Sequence, residues 1–126
     1  MINRVRRGEV YLANLGKGIG SEEQGIRPVV VVQNDLGNKY SPTIIIIPMT
    51  KRIEDKNKIP THVRIIPFGN MKYDATIMAE QIKVLDKRRI KHYIDTLPED
   101  YMKKINVALK IAIGLADVME NKEKTK

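Results

Sequence analysis

Two unbroken runs of β-branched residues, Val29–Val32 and Ile44–Ile47, constrain this chain most. Each is too short for a buried helix, and branching at Cβ stiffens χ1, so both runs predict buried strands. The link between them, Gln33–Pro42, gathers Asn34, Asp35, Gly37, Asn38, Ser41 and Pro42 and offers no apolar helical face. A parallel return needs a crossover of about a dozen residues or more, usually helical. The two strands are therefore expected to be antiparallel neighbours. That pairing puts Arg27, which enters the first strand, and Thr50, which leaves the second, at the same end of a sheet. A guanidinium and a hydroxyl converging there can hold a phosphate.

The rest of the chain reads around this pair. Arg6–Ala13 predicts a first strand with Val10, Leu12 and Leu15 on one face. Gly16–Gly25 follows as a glycine-rich, flexible loop. It is not a nucleotide cradle: the Gly-x-x-x-x-Gly-Lys-Ser/Thr spacing is absent, and the Gly-x-Gly-x-x-Gly pattern fails at Ser21. Lys51–Asn57 is a charged segment from which Lys51, Arg52 and Lys56, with Lys58 beyond, can track a phosphate backbone. Ile59–Ile66 alternates as a strand with Pro60 at its start, where a missing N–H is tolerated. A turn is expected around Gly69-Asn70, then one or two strands over Ala75–Leu85 around Glu80. Asp86–Ile94 predicts a short helix capped by Asp86, with Ile90, Tyr93 and Ile94 inward. Thr96 and Glu99 have capping-box spacing for a longer helix, with Pro98 in its first turn and Met102, Ile105, Leu109, Ala112, Ile113 and Ala116 at helical intervals. Several short strands followed by a terminal helix predict a curled antiparallel sheet or small barrel with helices packed on it. One domain is expected over residues 1–120, and 121–126 as a polar, frayed tail.

Composition excludes several chemistries. Without cysteine there is no disulfide, thiolate metal site or thiol nucleophile. His62 and His92 stand alone, outside any metal-ligand spacing, so no metal or other cofactor is expected. No apolar segment follows the basic N-terminus and no run is long enough to span a bilayer, so a soluble, cytoplasmic protein is the expectation. A net charge of +8 favours an acidic partner, nucleic acid or protein. No helix pairs a basic face with exposed aromatics, which counts against a membrane surface. RNA suits the Arg27/Thr50 pair in particular, because the substrate's own 2′-hydroxyl is the nucleophile. The protein then needs only to align the backbone and stabilise charge.

The ordered set Arg7-Gly8-Glu9-Val10-Tyr11, Gly20-Ser21-Glu22, Gly25-Ile26-Arg27-Pro28-Val29, Gln33-Asn34-Asp35, Ser41-Pro42-Thr43, Thr50, Pro60-Thr61-His62-Val63 and Glu80-Gln81-Ile82 resembles the MazF/PemK family of toxin endoribonucleases. Its Asn34-Asp35, Pro60-Thr61-His62 and Glu80-Gln81 elements are most similar to the Bacillus-type, Gram-positive branch. The resemblance implies an SH3-like barrel with a C-terminal helix that forms a homodimer. It implies metal-independent, sequence-specific cleavage of single-stranded RNA or mRNA at U-A-C-A-U, to a 2′,3′-cyclic phosphate and a 5′-hydroxyl. It also implies an acidic, MazE-like antitoxin as partner in a type II toxin–antitoxin system. The family's catalytic arginine and threonine fall on Arg27 and Thr50, and its loop glutamate on Glu22. Chemistry and resemblance together make Ser21, Glu22, Gln24, Asn34, Asp35, Lys51, Lys58, Thr61, Glu80 and Gln81 substrate-binding candidates. One departure is Glu23, an extra negative charge where the family commonly has glutamine. The alternatives are a non-catalytic toxin on the same barrel that binds a topoisomerase, and a basic RNA-binding regulator that does not cut.

Overall fold

A computed structural model describes residues 4–51 and 59–117. The expected tail, 121–126, lies outside the described residues. Seven strands are arranged as β1 (Glu9–Asn14), β2 (Ile26–Val31), β3 (Thr43–Thr50), β4 (His62–Ile65), β5 (Ala75–Met78), β6 (Lys83–Asp86) and β7 (Ile90–Thr96). Helix α1 (Asp35–Tyr40) joins β2 to β3, and α2 (Glu99–Ala112) follows the last strand. The sheet runs β4-β5-β3-β2-β1-β7, with β6 also paired to β3. Among the described residues no ladder joins β4 to β7, so the expected barrel is open at that seam.

The β-branched runs are strands, and antiparallel: Val29 faces Pro48, Val30 faces Ile47 and Val31 faces Ile46. Their unbroken apolar character has a simple cause. Side chains alternate across a strand, and here both faces are covered. Val30, Val32 and Ile47 enter a core with Ile65, Ile77, Met102, Ile105 and Ala108. Val29, Val31, Ile44 and Ile46 enter a second core with Tyr11, Ala13 and Leu85. Long β3 spans both halves of the sheet. Its first half pairs with β6 (Thr43–Ile46) and its end with β5 (Met49, Thr50). Pro48, with no N–H to donate, stands where that edge changes partners.

Several local expectations give way to long-range pairing. Asp86 does cap a turn, accepting from Arg88 N at 2.8 Å, but only a three-residue 3-10 turn (Lys87–Arg89) follows. Ile90–Thr96 is then a strand, not a helix, because the free edge of β1 takes its backbone groups: Leu12 faces His92 and Tyr11 faces Tyr93. Thr96 therefore ends β7 and does not cap α2, whose cap is Pro98 with no side-chain hydrogen bond. Helix α2 seats Met102, Ile105 and Ala108 on the first core, whereas Ile113 lies past its end and is exposed. Just past β1, Leu15 shares the second core with Tyr11 and Ala13, and does not share a face with Val10. Burial raises the Tyr11 hydroxyl pKa, helped by its hydrogen bond to Glu9 at 3.0 Å. The expected polar turn after β2 holds the short helix α1.

Candidate active site

Continuing the β2–β3 register two residues beyond Val29 and Pro48 sets Arg27 opposite Thr50. Both line one cavity of about 760 Å³, together with Pro28, Met49, Lys51 and Tyr73. Thr50 is buried at 8% exposure, while the Arg27 side chain is 36% exposed. The guanidinium is held by its inner edge: Nε donates to the Gln24 carbonyl at 2.8 Å. Glu23 Oε1 lies 3.3 Å from the same Nε, close enough to pair by charge. That carboxylate is buried, and its Oε1 accepts no hydrogen bond among the described residues. The extra charge of Glu23 therefore points at Arg27 and not at solvent.

The glycine-rich loop carrying Glu23 is tied at its base and at several points above it. Leu15 N donates to Gly25 O and Gly25 N to Gly16 O, both at 2.8 Å, closing the loop at its base. Gly16 and Gly25 hold φ of +75° and +79° there, where a Cβ would be strained. Above the base, Glu22 Oε1 accepts from Ile19 N at 2.6 Å and Gln24 Oε1 from Gly18 N at 3.0 Å. Gln81 reaches across from the turn after β5. Its Nε2 donates to Ser21 O at 3.3 Å, and its Oε1 accepts from Glu23 N at 3.4 Å. Ser21, Glu22, Gln24 and Gln81 thus form one bonded group beside Arg27.

Glu80, next along, accepts from Thr61 Oγ1 at 2.7 Å and meets His62 Nε2 at 2.8 Å. His62 does not stand alone. Burial raises the Glu80 pKa, but the hydrogen bonds from Thr61 and His62 outweigh it and leave the carboxyl below its ordinary range. Asn34 and Asp35 lie elsewhere. They follow β2, so the strand's length separates them from Arg27 by roughly 20 Å. Asn34 caps α1 by accepting from Gly37 N at 2.8 Å, and Asp35 accepts from Arg7 N at 2.7 Å. The Arg7 backbone bond, then Asn38, hold the Asp35 carboxyl low. In this structure both residues are engaged in local structure away from the cavity. Lys58, with Arg52 and Lys56, lies outside the described residues.

The cavity also holds residues that sequence reasoning did not place there. Tyr73, His92 and Tyr93 line it, the last two because Ile90–Thr96 is a strand. No periodicity marked them, since each is brought in by a partner distant along the chain. Among the described residues no three His, Asp or Glu side chains gather as metal ligands, and no helix is long and apolar enough to cross a membrane.

Residues 6–113 match the family described as PemK-like, MazF-like toxin of type II toxin-antitoxin system. The chain is 49% identical over 122 residues to the Endoribonuclease MazF of Staphylococcus saprophyticus, covering 94% of this chain and 98% of that one. Among solved structures it resembles a mycobacterial endoribonuclease in complex with its cognate antitoxin, at TM-score 0.72 and 27% identity, covering 90% of this chain and 98% of that one. It also matches the fold of MazF from Deinococcus radiodurans at TM-score 0.76 and 20% identity, covering 88% and 97% of the two chains.

Proposed function

The chain belongs to the PemK/MazF family of type II toxins, and from that premise we propose that it is a metal-independent endoribonuclease cutting single-stranded RNA in the Arg27/Thr50 cavity. The observation that carries the reading is that Arg27 and Thr50, from two antiparallel neighbouring strands, line one shared cavity. With Nε engaged by Gln24, the two terminal nitrogens of Arg27 are the part of the fork that serves the phosphoryl oxygens. Thr50 Oγ1 donates one further hydrogen bond to the same phosphate.

In this reading the ribose 2′-oxygen attacks the adjacent phosphorus and the bond from phosphorus to the 5′-oxygen breaks. The 2′-proton is lost and the departing 5′-oxygen gains one, which leaves a 2′,3′-cyclic phosphate and a 5′-hydroxyl. Arg27 stabilises the charge that builds on the phosphoryl oxygens and can supply a proton toward the 5′-oxygen. Ser21, Glu22, Gln24, Lys51, Thr61, Glu80 and Gln81 form the substrate-binding surround, with Lys58 a further candidate by its charge and U-A-C-A-U as the expected site. Asn34 and Asp35 could join this surround only from the far end of the β2–β3 pair. A homodimer and an acidic, MazE-like antitoxin are the expected protein partners, the latter suited to a chain of charge +8. An mRNA substrate places the action in the cytoplasm.

The test is cleavage of a fluorogenic RNA containing U-A-C-A-U in excess EDTA. Wild type should cut to a cyclic phosphate, and Arg27→Ala and Thr50→Ala should each lose on the order of 10²–10³ in rate. Absence of cleavage on mixed RNA by folded, antitoxin-free protein would favour the topoisomerase-binding or RNA-binding alternatives.

A further inference from the structure

We propose that Tyr73, with Lys51 over its ring, is a nucleobase-stacking subsite of the Arg27/Thr50 cavity, taking one unpaired base beside the scissile phosphate. The inference rests on the RNA-cleavage reading and adds a residue that none of the sequence signals placed at the site.

Five tyrosines are available, and the structure separates them. Tyr11 is buried. Tyr101 packs on Phe68, with ring centroids 6.3 Å apart. Tyr40 is exposed but ends α1, beyond the far end of β2. Tyr93 lines the cavity, yet its ring packs edge-on against Tyr11 at 5.7 Å and its hydroxyl meets Thr96 Oγ1 at 2.6 Å. Tyr73 lines the same cavity at 60% exposure and takes part in neither ring pair.

Lys51 gives this ring a defined place. Its Nζ stands 4.1 Å from the Tyr73 centroid, and Lys51 directly follows Thr50 in the chain. A cation over one aromatic face is an electrostatic contact that leaves the opposite face for stacking. The pair therefore sets an ammonium for a phosphate and a flat surface for a base beside the hydroxyl assigned to the reacting phosphate. Stacking on an aromatic side chain is how unpaired RNA bases are commonly held. The turn before Tyr73 is itself anchored: Phe68 and Met71 exchange backbone bonds at 2.8 and 3.0 Å, and Asp95 accepts from Asn70 N at 2.9 Å. The arm bearing Tyr73 is thus tied to β7, which supplies another wall of the cavity.

The experiment uses the full-length protein and an RNA with a 2′-deoxy sugar at the cleavage position, which binds without being cut, read by fluorescence anisotropy. Tyr73→Ala should weaken binding by about 5- to 100-fold, while Tyr73→Phe and Tyr73→Trp stay within about two-fold of wild type. With cleavable RNA the loss should lie in KM, with kcat at saturation kept within a few-fold. A series of abasic RNAs locates the base: at one position wild type should lose the same factor, and Tyr73→Ala should lose nothing more. Equal binding by wild type and Tyr73→Ala, equal losses in the Phe and Ala variants, or additive losses at every abasic position would each overturn the subsite. Wild-type cleavage scored in the same preparation keeps the two readings apart. RNA cut normally with Tyr73 indifferent sinks only the subsite, whereas RNA neither bound nor cut by wild type sinks both.

Discussion

Replacing Glu23 by glutamine removes one negative charge 3.3 Å from Arg27 Nε while keeping the length of the side chain. At that separation two unit charges interact by about 1.3 kcal/mol in water and about 5 kcal/mol at an effective dielectric of 20. Arg27 is 36% exposed, so solvent screening places the pair toward the lower end, about 1–2 kcal/mol. On the proposed reading, in which an RNA phosphate sits on Arg27, Glu23 would compete with it for the same cation, so neutralising Glu23 should tighten RNA binding by that amount, about 5- to 30-fold in KM at low salt. The gain should shrink as salt is added. Fold stability should move little, by less than about 1 kcal/mol, because the lost attraction is offset by no longer burying a carboxylate whose Oε1 accepts no hydrogen bond among the described residues. The assay is steady-state cleavage of the fluorogenic RNA across a salt series, with urea unfolding of both proteins alongside. A KM that rises, or a fall in kcat without a change in KM, would refute the competition argument. Either result would mean that Glu23 orients the guanidinium for the reaction.

Three further outcomes follow from the geometry. Gly69→Ala would drive a Cβ into Asp95 Oδ2 at a residue with φ of +50°, so it should destabilise the fold by about 1–3 kcal/mol in urea unfolding. Arg7 donates from Nε to Val32 O at 2.8 Å and from Nη2 to Asn106 Oδ1 at 2.6 Å, tying the residue after β2 to α2. Its change to alanine should cost about 2–4 kcal/mol, and lysine, lacking the planar fork, should restore little of it. Glu80 is held below its ordinary value of 4.5, since hydrogen bonds from Thr61 and His62 outweigh burial. A depressed folded value adds stability that is present above the unfolded pKa and is lost as pH falls from there through the lower folded one. Denaturant midpoints measured between about pH 6 and 3 should therefore fall less steeply in Glu80→Gln than in wild type; parallel curves would refute the assignment.

The site was legible in unequal parts. Arg27 and Thr50 could be paired from sequence because antiparallel neighbours joined by a short link have a forced geometry: the entry of one strand meets the exit of the other. Glu23 was visible as a charge, but its burial against Arg27 follows from a loop held by Gln81, which lies far along the chain. His62 looked isolated until β4 and the turn after β5 brought Glu80 to it. The meeting of Lys51 with Tyr73 left no periodic trace, because the two belong to different segments and touch only through the folded arm after the Phe68–Met71 turn.

The same division holds for the fold. Local chemistry sufficed for Val29–Val32 and Ile44–Ile47, whose branched side chains admit little besides a strand, and for the helical spacing of Met102, Ile105, Leu109 and Ala112. It did not suffice for Ile90–Thr96, where Ile90 and Ile94 satisfy a helical spacing and a period of two equally well. There the unpaired edge of β1 decided, because backbone groups at a sheet edge gain partners only by extending the neighbouring segment. By itself the sequence determined which stretches must be buried and which two residues meet at the end of the central strand pair. The tertiary structure decided which edges are filled, and with them which side chains surround Arg27. Those contacts join residues far apart in the chain, and no local propensity encodes them.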